Sequence, residues 1–438
     1  MAQTLILSAM WVLPMVPRGT ALKDYAVVIQ DGRIAEVCPR EDALTRYPDA
    51  EHQAFPSHAL LPGFVNAHTH AAMTLLRGVG SDQPLMDWLQ KHVWPAEARL
   101  LSPEFVHAGS RLAIAEMILG GTTTFSDMYL FPEETAQVVD QIGIRSMLGL
   151  TVIEIPTPWA TTPREYFSKG ADLVHAWQGH ERIGFTLAPH APYTVSDESL
   201  MEVRRRAEKL DVPIHMHVHE TAHEVATAVA ETRERPLTRL ARLGLLDQPF
   251  KAVHMTQLDA HELEKLPSHP VSVVHCAESN LKLASGFCPV HQLLTRGVNV
   301  ALGTDSVASN NDLDMLGEMR TAALLAKGVS GEASAVAAPQ ALEMATLNGA
   351  RALGLERSIG SLEAGKLADL IAIDLGGLEH QPAHDPHTQI VYAASRDSIT
   401  HVFVGGRALL RNRELLTLDI DELKDLIRRW QERIDEAH

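Results

Sequence analysis

Eight short apolar runs, each leading into a helical stretch, constrain the fold of this 438-residue chain more than any other feature. They span residues 60–66, 122–125, 145–150, 183–188, 213–217, 251–254, 271–275 and 298–303. Parallel strands buried on both faces read as near-continuous apolar segments, and each parallel connection needs a crossover long enough to hold a helix. Eight such units predict an α/β fold, a (β/α)8 TIM barrel. The polar residues are phased with it: His68 and His70, Asp127, His190, His217 and Glu220, His254, His275 and Asp305 all lie at or just after the C-terminal end of a predicted strand. In a barrel those ends share one face, the face on which active sites are built.

The flanking segments follow a different pattern. Residues 4–7, 25–30 and 33–37 read as short strands with Asp31-Gly32 as a hairpin turn, and strand-like material returns at 368–373 and 401–406. The expected organisation is a small β-sandwich made from both ends of the chain. Residues 1–60 form its first part, 61–364 the barrel, and 365–438 its second part plus a C-terminal helix. Residues 360–369 read as the turn leaving the barrel, and Leu423, Leu426, Ile427, Trp430 and Ile434 give residues 419–437 an apolar stripe at helical spacing.

Composition narrows function by exclusion. A formal charge of −17 argues against a nucleic-acid partner, which needs clustered Lys and Arg to displace counterions. No apolar run approaches the roughly 20 residues that span a bilayer. Met1-Ala2-Gln3-Thr4 lacks the basic start of a secretory signal, so the expected location is the cytoplasm. Cys38, Cys276 and Cys288 are the only cysteines, with no Cys-x-x-Cys pair, so a bound metal would rest on His and carboxylate.

His68-Thr69-His70 follows the first predicted barrel strand, and alternate positions of an extended segment point to one side, so both imidazoles can reach one divalent cation. A catalytic zinc site combines about three protein ligands of this kind with an open position. His217 and Asp305 are the further candidates. By alternation His215 and His219 share a face with His217, and strand phase does not choose among the three. Glu220, three residues after His217, reads either as a carboxyl reaching the same cavity or as a helix-start Glu favoured by the helix dipole.

The segments 62–70 (PGFVNAHTH), 217–221 (HVHET), His254 and 302–306 (LGTDS) together resemble the amidohydrolase superfamily, in its cytosine-deaminase-like and chlorohydrolase-like branch. The resemblance covers nearly the whole chain. It implies that His68, His70, His217 and Asp305 ligate one divalent metal, Zn2+ or sometimes Fe2+, and so selects His217 from its neighbours. No Lys stands near the end of the third or fourth strand where a bridging carboxylated lysine would sit, which favours a single metal. Glu220 is then the acid that protonates a ring nitrogen. Asp305 is both a ligand and the acceptor of a proton from water, and His254 orients the attacking oxygen. His275 is given no catalytic role.

Residues 304–315 (TDSVASNNDLDM), 280–283 (NLKL) and 94–97 (WPAE) resemble the 5′-methylthioadenosine/S-adenosylhomocysteine deaminases. That likeness implies a small-molecule nucleoside substrate, hydrolytic loss of its C6 amino group as ammonia, and a homo-oligomer. It also implies that Glu97 accepts from the ribose hydroxyls and that His190 contacts the nucleoside, with Ser309 a further substrate contact and Trp88 either lining the pocket or packing. The end of the third strand carries no Arg for a homocysteine carboxylate, so methylthioadenosine is favoured over S-adenosylhomocysteine, with adenosine left open as a further substrate; Arg164 is the residue whose reach would reverse this. The rival readings are a guanine, 8-oxoguanine or pterin deaminase, a triazine hydrolase of the same branch, or a catalytically silent barrel serving as a scaffold.

Overall fold

The computed structural model describes residues 4–437; the Met1–Gln3 start considered above lies outside the described residues. The barrel strands are β5 (Phe64–Thr69), β6 (Thr122–Asp127), β7 (Arg145–Val152), β8 (Ile183–Pro189), β9 (Ile214–Val218), β10 (Phe250–His254), β11 (Val271–His275) and β12 (Asn299–Leu302). They follow β1 (Thr4–Val12), β2 (Leu22–Gln30), β3 (Arg33–Pro39) and β4 (Glu51–Pro62), and precede β13 (Leu370–Asp374), β14 (Ile399–Val404), β15 (Arg407–Arg411) and β16 (Glu414–Leu415). β5 to β12 are neighbours in sequence order in one parallel sheet, with helices between them, which is the (β/α)8 barrel.

The ladder has a seam between its first and last strands. There Asp305 N donates to His68 O at 3.1 Å. The Asn66 amide spans the gap, donating to Thr304 Oγ1 at 2.7 Å and accepting from Thr304 N at 3.0 Å. The seam thus runs beside the residues that the sequence singles out.

The two ends of the chain join through β4 and β13, which pair antiparallel with Leu60 opposite Ala372. The outer sheet has the order β16-β15-β14-β13-β4-β1-β2-β3. It curls until Ala368 N donates to Gly32 O at 2.9 Å, around an apolar cluster that includes Leu7, Val27, Ile29, Phe55, Leu370 and Phe403. The expected sandwich therefore takes the form of one sheet folded over on itself.

One predicted element divides. Residues 60–66, read above as a single strand, break at Gly63: Leu60 to Pro62 end β4 in the outer sheet, and Phe64 opens the barrel. At Gly63 the chain runs so close to β6 that a Cβ would come within 2.1–2.6 Å of the Thr123 side chain, which only glycine permits. Arg145 at the base of β7 ties the barrel to the outer sheet through a buried ion pair with Asp369 at 2.8 Å. Among the described residues no helix is long and apolar enough to cross a membrane.

Candidate active site

At the C-terminal mouth of the barrel lies a cavity of about 350 Å³, and His70, His217, Glu220, His254 and Asp305 all line it. His68 stands beneath, fully buried. Asp305 Oδ1 is 3.3 Å from His68 Nε2 and 3.3 Å from His70 Nε2, and His217 Nε2 is 3.2 Å from His68 Nε2. Donors on a tetrahedral zinc at about 2.0–2.1 Å stand roughly 3.3 Å apart, the edge of that tetrahedron. His68, His70 and Asp305 therefore stand at a spacing that fits one such ion, and His217 adjoins them through His68, with which it and His254 form a second group of three possible donors.

The rings are held from behind. His70 Nδ1 bonds the Met128 carbonyl, His217 Nδ1 the His190 carbonyl at 2.8 Å, and His254 Nδ1 the Asn280 amide oxygen at 2.8 Å. Each Nδ1–H that donates to an oxygen leaves the Nε2 lone pair facing inward, the tautomer a ligand needs. Asp305 Oδ2 accepts from Ser279 at 2.6 Å and Ser309 at 3.0 Å, leaving Oδ1 turned to the histidines. Burial holds His217 well below the ordinary imidazole range and His68 down to about 3, so both are neutral. Asp305 stays ionised: burial pushes its carboxyl up, but the adjoining His68 and His70 hold it well below the usual range.

The three histidines of β9 and its exit separate. His217 joins the donor set, while His215 lies one pleat deeper with Nε2 2.9 Å from His68 Nδ1. His219 leaves the shared face expected from alternation, because β9 ends at Val218 and His219 turns left-handed (φ 53°), so that its Nε2 accepts from Leu237 N at 3.2 Å. Glu220 follows it back into the cavity. Its backbone N–H and that of His219 donate to the Glu224 carboxyl, and its own carboxyl lies 3.8 Å from His254 Nε2. Burial, the dominant cause, raises the Glu220 pKa, as does the nearby Asp305, while His254 opposes them.

Across the chamber Glu97 is half-buried, its pKa raised by loss of solvent around the carboxyl, and Tyr129 donates to its Oε1 at 2.6 Å. Tyr129 was not anticipated; its one signal was its position two residues beyond the strand-end Asp127. Asp127 itself serves the backbone, accepting from Ala71 N at 2.7 Å and Thr69 Oγ1 at 3.1 Å, and so pins the turn after His70. His190 and Trp88 line the cavity, and Trp88 donates to the Val79 carbonyl at 3.1 Å. Ser309 also lines it, with its hydroxyl directed to Asp305. His275 is buried just below and is not among the lining residues.

Arg164 is not brought to the cavity. Thr162 caps the helix Pro163–Ala176, which sets Arg164 in the first turn, and the preceding loop reaches the chamber instead with Ile153, Ile155 and Pro156. The rest of the wall is mostly apolar, including Met73, Leu85, Val93 and Leu283, and among the described residues no Arg or Lys lines it.

Residues 59–409 match the model of the Amidohydrolase family. A 5-methylthioadenosine/S-adenosylhomocysteine deaminase from Saccharophagus degradans is 46% identical over 430 residues, covering 98% of this chain and 96% of that protein. The crystal structure of an adenosine deaminase from Xanthomonas campestris with bound zinc superposes with a TM-score of 0.97 at 49% identity, covering 99% of this chain and 98% of that one. A triazine hydrolase variant superposes with a TM-score of 0.92 at 21% identity, covering 98% and 99% of the two chains, a likeness of fold alone.

Proposed function

Because this chain belongs to the amidohydrolase family, and within it to the 5-methylthioadenosine/S-adenosylhomocysteine deaminases, we propose that it removes the C6 amino group of an adenosine bearing a neutral thioether at its 5′ carbon. Water is consumed, and ammonia and the matching inosine are released. The reading rests on one observation: a donor set with zinc spacing, a buried carboxyl beside it and a second carboxyl across an apolar chamber all share one cavity.

His68, His70, His217 and Asp305 are the residues we assign to one zinc ion. When bound, zinc supplies a Lewis acid that brings the pKa of coordinated water toward about 7. The Asp305 carboxylate, held by the Ser279 and Ser309 hydroxyls, takes the proton that water gives up on attack at C6. Glu220, whose carboxyl burial shifts toward the protonated form, donates to the ring nitrogen next to C6 and draws electron density from that carbon. His254 is fixed by Asn280, and its Nε2 orients the attacking oxygen. As the tetrahedral carbon collapses, the amino group leaves as ammonia with the proton held at Asp305, the C–N bond breaks, and the remaining hydroxyl proton returns to Glu220 as the C6 carbonyl forms.

Glu97, with one oxygen engaged by Tyr129, offers the other to ribose hydroxyls. A homocysteine tail carries a carboxylate that calls for a cation, and the wall has none; a methylthio group needs only Leu85, Val93 and Ile153. Zinc-loaded protein is to be assayed for ammonia release from methylthioadenosine, S-adenosylhomocysteine, adenosine, guanine, 8-oxoguanine and cytosine. The highest kcat/KM is expected with methylthioadenosine, and turnover of guanine with none on any nucleoside would reject the proposal.

A further inference from the structure

His215 has no part in the reaction described above, yet it is fully buried at the barrel axis and touches a residue of the donor set. Its Nε2 lies 2.9 Å from His68 Nδ1, with the two rings edge to face at a centroid distance of 5.0 Å. Its Nδ1 is buried with no hydrogen-bond partner. Behind His70, His217 and His254 stand oxygens that can only accept: the carbonyls of Met128 and His190 and the amide oxygen of Asn280. His68 alone leans on a nitrogen that can either give or take a proton.

Only one proton arrangement suits ligation. If His215 Nε2 carries the hydrogen, it donates to His68 Nδ1. The His68 hydrogen then sits on Nε2, facing Asp305, and no lone pair is left for a metal. If His68 Nδ1 carries the hydrogen, His215 Nε2 accepts it and His68 Nε2 is free to ligate. The His215 hydrogen is then on Nδ1, the atom left without a partner. The first arrangement leaves an unpaired buried acceptor but turns the His68 Nε2–H toward the Asp305 carboxylate 3.3 Å away, so it suits the metal-free chain. The second is stabilised only by ligation.

We infer that His215 is a positioning residue for the metal centre, a tautomer partner whose Nε2 lone pair holds His68 in its ligating form. The inference rests on the zinc assignment above, and binding of zinc drives the shared proton from one imidazole pair arrangement to the other. Partners of this kind behind a ligating histidine affect metal affinity by about 10–100-fold.

The test exploits the shape of two amides. In His215→Gln the amide group reaches the place of Nε2 and its oxygen can accept from His68; in His215→Asn the amide reaches only the place of Nδ1. Zinc affinity is measured by competition with a chromophoric chelator, and thermal unfolding is measured in excess chelator. The Gln chain is expected to bind zinc within about 3-fold of wild type and the Asn chain at least about 10-fold more weakly, with similar metal-free melting for all three. If the Asn chain does not fold without metal, His215→Leu takes its place in the comparison with Gln. Equal zinc affinity in the accepting and non-accepting variants, or a loss in Gln as large as in Asn, would overturn the inference. A wild-type chain that takes up no zinc would refute the metal centre itself. One that binds zinc but deaminates no nucleoside would refute the substrate reading and leave the His215 comparison intact.

Discussion

Glu220 combines deep burial with a carboxyl 3.8 Å from His254, and that pairing makes its role separable from that of the metal donors. Glu220→Gln keeps the shape but supplies no acidic proton. Its kcat is expected to fall about 10²–10⁴-fold, with zinc content measured by elemental analysis unchanged and KM within a few-fold; loss of zinc together with activity would refute the assignment. His254 (φ 75°) and Asp305 (φ 61°) also hold left-handed backbone conformations, which cost of order 1–3 kcal/mol each in residues other than glycine. That strain aims them inward. His68, His70, His217 and Asp305, which the structure brings together, stood out in the sequence because each is a rare residue type at a strand end. Choosing among His215, His217 and His219 could not be done by alternation, since the left-handed turn at His219 obeys no period-two rule. Tyr129 and Asn280 escaped for another reason: both work through partners distant in sequence, Glu97 and His254, and nothing local announces such pairs.

At the level of elements, all eight barrel strands were legible as apolar runs, because a strand buried on both faces has little polar sequence to confuse it. The misplaced boundary at Gly63 lay inside one such run, where two adjoining strands in different sheets are both apolar. The C-terminal helix Ile420–Ala437 was legible from its stripe, but its use was not. Trp430 packs edge to face on Phe105 at 5.4 Å, in a cluster that also holds Leu85, Trp88, Val93 and Leu100, the inner side of the wall that carries Glu97. This helix is a brace for the pocket wall. Trp430→Ala is expected to cost about 3 kcal/mol in a denaturant titration and to raise KM for the nucleoside several-fold while kcat and zinc content hold. An unchanged KM in a destabilised chain would confine the brace to stability.

For the molecule as a whole, acidity bears on the outer sheet through a buried histidine. His401 accepts at Nε2 from the Gln53 amide at 3.0 Å, and burial, with His58 and Arg411 nearby, lowers its pKa to about 4. An unfolded histidine titrates near 6.5. Between those two values the unfolded chain binds the extra proton, so the stabilisation is complete above about 6.5 and is lost as pH falls toward 4. Urea midpoints measured from pH 7 to 5 at fixed zinc should decline more steeply for the wild type than for His401→Gln; parallel slopes would show that the titration lies elsewhere.

The seam between β5 and β12 carries a last consequence. Two of the proposed ligands, His68 and His70, stand in and just after the first stave of the barrel, and Asp305 follows the eighth, so an ion held by them would clasp the hoop where its ladder is thinnest. Stripping zinc should therefore speed amide hydrogen exchange at residues 64–70 and 302–306 well before β1 and β2 respond; uniform exchange across the chain would deny the clasp. A metal-starved chain would then be sprung at its joint as well as idle, exposing to unfolding and proteolysis the very strands that carry its chemistry.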